Sequence, residues 1–368
     1  MKLEGTMRKF ALLLVLVVLA ALPLMGAAQD EEIAPWVCPE GFAGQTLSVF
    51  NWTTYVAEDT ISNFEAACGV RVIYDTYESG EALLARLAGG NPGYDVVVPP
   101  NYLVPQMIDR GLLMELDHSL IPNLANLDDI FLDTEFDPGS RFSVAYQWGT
   151  IGVGYNRTVV GFDITTWDDV FAYQGPVAWL EDLRSMIGVG LLKLGFDPNS
   201  EDPAEIAAAR DYLVANGRNV VSIAGDDGQA QLERGDVHIA VEFNGDIFQL
   251  IADCECEDYV YVIPEEGAPV WVDQMAIATG APNPRLAHAF IDYILHPQVG
   301  ADISNYTAFA SPNRVAIELG LVDAEMLANP GIYPTDEVQE RLFFVIDVPD
   351  AEQFYNDAWD EIKILIAR

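Results

Sequence analysis

Basic residues are scarce in this chain: 18 lysines and arginines stand against 57 aspartates and glutamates, a formal net charge of −39 over 368 residues. A field of that sign repels nucleic acid and anionic lipid and attracts cations, so no nucleic-acid partner is expected. A solvated acidic surface accounts for most of this charge, and it locates no site. Histidine is scarcer still. His118, His238, His288 and His296 are scattered, and there is no H-E-x-x-H and no G-x-S-x-G. This argues against a zinc or serine hydrolase, and no metal or other cofactor is expected.

Long apolar runs are missing except at the start, where Phe10 to Leu24 follows Lys2, Arg8 and Lys9 and precedes the small residues Gly26, Ala27 and Ala28. That is the pattern of an export signal over residues 1–28, removed before Gln29. The run is short for a membrane span, although an uncleaved anchor is the alternative. No cysteine stands at the cleavage point, the first being Cys38, so lipid attachment there is not indicated. Export makes Cys38, Cys68, Cys254 and Cys256 candidates for disulfides, and four cysteines allow three pairings. Sequence does not choose among them. Locality favours Cys38 with Cys68, which leaves Cys254 and Cys256 to close a tight loop.

The organising stretch is Leu47 to Tyr55, LSVFNWTTY, a strand that breaks into aromatic and polar residues. Helix Ile61–Ala67, strand Val70–Tyr74, helix Glu81–Leu87 and strand Tyr94–Val98 follow, with Gly69, Gly89 and Gly90 as stops. This is a βαβαβ unit with a parallel sheet. In such sheets ligands sit beyond the carboxyl ends of the strands, which here carry Trp52, Thr53, Tyr55, Tyr77, Glu78 and Tyr102. A helix from Tyr102 to Arg110 comes next.

SVAYQWGTIGVGY, from Ser143 to Tyr155, is extended; its glycines lack the spacing and the following helix of a nucleotide loop. It reads as a strand that leaves one sheet for another, and so as a hinge. The second half repeats the pattern: strand Pro176–Leu180 ending at Glu181 and Asp182, a helix through Leu194, helix Pro203–Asn216, strand Val220–Ile223, a helix near Gln229–Arg234, and strand Val237–Val241 followed by Glu242, Phe243, Asn244, Gly245 and Asp246. Strand Tyr259–Ile263 precedes Val270–Ile277, which crosses back with Trp271 and Asp273 on one face. Helices at Arg285–Leu295 and Gln298–Tyr306 follow. The last helix should dock through Phe354, Tyr355, Ala358, Trp359, Ile362 and Ile366.

The expected fold is α/β, two lobes joined by a hinge with a cleft between them. Residues 45–149 with about 274–319 form one lobe, and 150–273 with about 320–368 the other. Aromatics and the carboxylates Asp182, Asp246 and Asp273 collect at the cleft, where Arg184 is the lone basic residue. Buried carboxylates without cations are costly unless the ligand brings the charge. The implied ligand is a cation with an apolar stem. A sugar, which also stacks on aromatics, a glycosidase built on Asp182 and Asp273, ferric ion and another cationic amine are the rival readings.

NWTTY, TYESGE, VVVPPNY, QWGTIGVGYN, FNGD and WVDQMAI, in this order, resemble the periplasmic spermidine/putrescine-binding proteins of ABC transporters, which have the two-lobed class II solute-binding fold. The similarity runs from about Leu47 to the C-terminus. It implies an aromatic box of Trp52, Tyr55, Tyr102, Phe243, Trp271 and Phe309, a hydroxyl from Thr53, and ammonium-binding carboxylates at Asp182 and Asp273. Asp246 matches a carboxylate of putrescine-selective members. It also implies a periplasmic monomer that binds a polyamine, works with a permease and its ATPase, and catalyses nothing; transport and sensing both remain open. Three positions depart from the family: Thr54 and Ser185 stand where acids are usual, and Val345 where a glutamine is.

Overall fold

The computed structural model describes residues 33–225 and 227–366; the expected leader lies outside them. Among the described residues ten strands pair into one sheet: β1 (Thr46–Trp52), β2 (Arg71–Tyr77), β3 (Val96–Val97), β4 (Ser143–Asn156), β5 (Val177–Leu180), β6 (Val220–Ala224), β7 (Ile239–Phe243), β8 (Tyr259–Val262), β9 (Pro269–Ile277) and β10 (Phe343–Phe344). The order is β2-β1-β3-β9-β4-β7-β5-β6, with β10 beside β9 and β8 beside β4. As expected, β1 runs parallel to β2 and β3, and β5 runs parallel to β6 and β7.

The long strand β4 joins the two halves. Its first part, Ser143 to Thr150, pairs antiparallel with β9, and its second, Ile151 to Asn156, pairs with β7 and β8. The expectation of a strand leaving one sheet for another is corrected to this extent: hydrogen bonding continues through β4. The glycines of β4 are needed for close approach. A Cβ at Gly154 would lie 2.3 Å from the Ile247 side chain, and one at Gly152 2.5 Å from the Tyr261 hydroxyl. Every residue of β9 is buried, as befits a central strand covered on both faces. Strand β2, by contrast, is largely exposed and ends the path.

Several boundaries differ from the sequence-based expectation, each for a local reason. Helix Val104–Asp109 is preceded by a 3-10 turn at Asn101–Leu103. Pro105 has no N–H to return to Asn101, so an α-turn cannot begin at Tyr102. Strand β7 runs on to Phe243, past the expected end at Val241, and helix Asn244–Cys254 begins at once. Phe354 is 43% exposed and leaves the docking stripe of helix Glu352–Ile366, whose buried residues are Tyr355, Ala358, Trp359 and Ile362.

The disulfides are Cys38–Cys68, with Cα atoms 5.3 Å apart, and Cys254–Cys256. The first ties the segment before β1 to the end of helix Thr60–Cys68, which Gly69 closes in the left-handed region. No described helix is long and apolar enough to cross a membrane.

Candidate functional site

Strand β1 delivers its last residues into the site under firm restraint. Asn51 is fully buried; its amide donates to the Tyr74 hydroxyl at 2.8 Å, and its side-chain oxygen accepts from the Trp52 N–H at 2.8 Å. Two residues on, Thr54 sits at φ 46°, in the left-handed region that disfavours a β-branched side chain. This turn sends Trp52, Thr53 and Tyr55 to one cavity.

All ten residues singled out from the sequence line that cavity, about 540 Å³ including space open to solvent. Trp52, Tyr55, Tyr102, Phe243, Trp271 and Phe309 form its walls; Thr53, Asp182, Asp246 and Asp273 are its polar groups. Pro100, Ser185 and Val345 complete it. The aromatic rings hold one another edge to face. Trp271 lies 5.3 Å from Phe309 and 5.7 Å from Phe243, Tyr55 lies 5.2 Å from Phe309, and all three pairs are steeply inclined. Such contacts add about 0.5–1.5 kcal/mol each and fix ring orientation before any ligand arrives.

Tyr77 and Glu78 do not line the cavity. Tyr77 supports it from behind: its ring packs 4.7 Å from Trp52, and its hydroxyl donates to the Val98 carbonyl. Ser79 caps helix Gly80–Ala88 by accepting from the Ala82 N–H at 3.2 Å.

The three carboxylates enter from different elements. Asp273, on β9, is 6% exposed. Burial pushes its pKa up to about 8, with the Tyr55 hydroxyl opposing this and the Asp182 charge adding to it. Asp246, in the first turn of helix Asn244–Cys254, is 3% exposed and accepts from the Thr54 hydroxyl at 3.1 Å. Burial pushes it up to about 7, outweighing the helix N-terminus and the Thr54 bond, both of which favour the anion. Asp182 caps helix Leu183–Lys193 through the Ser185 N–H at 2.9 Å. Burial raises it too, against the pull of that cap.

No lysine or arginine is among the described residues lining the cavity. Arg184 is directed elsewhere: it donates to the Ile346 carbonyl at 2.9 Å and to Asn199 at 3.2 Å, with its guanidinium 4.3 Å from the Tyr355 ring centre. Carboxyls buried without a basic partner favour the neutral acid, and a cationic guest supplies the missing charge.

Asn244 was not singled out by sequence. It is fully buried, and its oxygen accepts from the Thr150 N–H at 3.1 Å, so it seats the start of the helix carrying Asp246 on β4. The spacing of Ile247, Leu250 and Ile251 was the signal for that helix. Gly149 makes room for the joint: a Cβ there would stand 2.2 Å from Asn244 Oδ1 and 2.8 Å from Trp271 Cζ2. Gly149→Ala is therefore expected to displace both side chains and weaken ligand binding at least tenfold. Calorimetry beside a circular-dichroism spectrum would check this, and wild-type affinity in the variant would refute it.

The family model for bacterial extracellular solute-binding proteins matches residues 59–334. The putrescine-binding periplasmic protein SpuD of Pseudomonas aeruginosa is 33% identical over 339 residues, covering 87% of this chain and 92% of that protein. The spermidine/putrescine-binding periplasmic protein 1 of Haemophilus influenzae is 33% identical over 326 residues, covering 87% and 89%. Among solved structures, the spermidine/putrescine ABC transporter substrate-binding protein PotD of Streptococcus pneumoniae superposes with a TM-score of 0.74 at 31% identity, covering 88% of this chain and all of that one. The two-lobed α/β architecture expected from the sequence is thus the one found. With the fold, the cleft and these relatives in agreement, the chain belongs to the bacterial extracellular solute-binding protein family.

Proposed function

We propose that this protein is an exported, extracytoplasmic receptor that captures a polyamine, putrescine or spermidine, and delivers it to an ABC importer. The observation that carries this reading is a cavity with three carboxylates and six aromatic rings, and no basic residue among the described residues that line it. A linear amine satisfies both features at once: its methylenes lie against the rings and its ammonium ions complete the carboxylates. The names of the relatives point the same way.

Asp273 and Asp246 bind the two ammonium ions, Trp271, Phe243, Tyr55 and Phe309 enclose the chain between them, and Trp52, Thr53, Tyr102 and Asp182 close the remaining sides. A ring over an ammonium contributes about 0.5–2 kcal/mol. A few such contacts with ionised partners reach the roughly −8 kcal/mol of a micromolar receptor. The lobes are residues 45–149 with about 274–319, and 150–273 with about 320–368, and they close on the ligand by a hinge at β4 and β9. The receptor works as a monomer, catalyses no reaction, and presents its closed form to permease subunits served by an ATPase.

The test is a thermal-shift panel on the mature protein with putrescine, spermidine, spermine, cadaverine, agmatine and neutral sugars, followed by calorimetry on each hit. Saturable stabilisation by one or two amines and none by sugars is expected. Silence across the amines with the protein folded would overturn the polyamine reading.

A further inference from the structure

A second pocket, about 410 Å³ including open space, adjoins the first. Tyr102 lines both, and while Asp182 faces the first, its neighbours Leu183 and Arg184 line the second. The second pocket has apolar walls from Leu84, Leu103, Leu183 and Val348, and carboxylates at Glu81, Asp347 and Glu352. Its walls come from both halves of the chain, so an occupant would be enclosed only when the two faces meet.

The charges favour a cation. Arg184, the one basic residue among the described residues lining this pocket, already donates to Ile346 and Asn199 and lies over Tyr355. Gln106 donates to Asp347 at 2.9 Å, and Arg110 reaches Glu352 only at 3.8 Å from the surface. Among the described residues no lysine or arginine pairs with Glu81; the groups acting on its carboxyl include Asp182 and the Tyr102 hydroxyl. Glu81 and Asp182 therefore flank Tyr102, one toward each pocket. A diamine held by Asp273 and Asp246 has no ammonium left for this pair, whereas a third ammonium meets both.

We propose that the second pocket is an outer subsite, which takes the terminal aminoalkyl arm of a linear triamine or tetraamine whose other end occupies the first cavity. This rests on the polyamine reading of that cavity. The arm lays its methylenes against Leu84 and Leu183 and brings its ammonium to Glu81. Putrescine is too short to use it. The outer subsite thus makes affinity depend on ligand length without any change in the inner site.

Calorimetry with putrescine, spermidine and spermine on wild type, Glu81→Gln and Leu84→Trp tests this. Glu81→Gln removes charge at constant shape, and Leu84→Trp fills the pocket, so the first keeps the proposal testable if the second fails to fold. Both are expected to weaken spermidine and spermine at least tenfold and putrescine less than twofold. Triamine and tetraamine affinities unchanged in the folded variants, or a loss shared equally with putrescine, would overturn the outer subsite. So would a wild type that binds putrescine alone, which leaves the inner reading intact. A wild type that binds no amine would overturn both.

Discussion

Asp273→Asn is expected to weaken putrescine binding at least tenfold, a loss of about 1.4 kcal/mol or more, while the empty protein stays folded. Asp273 is buried and its pKa is raised to about 8, so near neutral pH and before any cation arrives it is mostly an uncharged acid, which asparagine mimics in shape and polarity. An arriving ammonium reverses that balance, because it provides the counter-charge whose absence raised the pKa. Asparagine cannot ionise, and it leaves the ammonium desolvated without a partner. Calorimetry would measure the loss, with a melting curve as the check on folding. Unchanged affinity would remove Asp273 from the site.

Amine affinity is also expected to fall steeply with acidification, by about tenfold per pH unit for each carboxylate that must ionise, below about pH 8 for Asp273 and about pH 7 for Asp246. The amine itself stays protonated throughout this range, its pKa being close to that of a lysine side chain, about 10.4. Folding stability moves the other way. Both acids hold their protons in the folded state to higher pH than the ordinary value of 3.8, so between that value and the raised ones the folded form binds more protons than the unfolded form. The empty protein therefore loses stability from these groups as pH rises through that window. Calorimetry in two buffers of different ionisation enthalpy would count the protons released on binding. Melting curves of wild type and Asp273→Asn across the same window would isolate the folding term. A pH-independent affinity with no proton release would defeat this account.

The three departures from the family pattern gain meaning from their positions. Ser185 and Val345 line the cavity beside Asp182 and Tyr102, and Thr54 donates to Asp246. The cavity thus keeps its carboxylates where two elements converge on them and loses polar reach at the Asp182 end. A serine whose N–H is already spent on the Asp182 cap, and a valine, add little for an ammonium there.

By itself, the sequence determined the element order, the parallel pairing around β1, and the aromatic and acidic residues that gather at the strand ends. These follow from local periodicity and from the rule that strand ends of an α/β sheet face the ligand. Tertiary structure alone decided the rest. Asn-Gly-Asp after Phe243 has the composition of a turn, and it becomes helix because Asn244 docks on Thr150 and Gly149 leaves room. Arg184 stands two residues from Asp182 yet turns away, because the Ile346 carbonyl and the Tyr355 ring receive it. Phe354 fits a helical stripe but is 43% exposed, because exposure is set by what packs against the helix and not by its own periodicity. The pocket beyond Tyr102 joins residues more than 260 positions apart along the chain, from Glu81 to Glu352. Its existence depends on how distant surfaces meet, a long-range fact that no local pattern encodes.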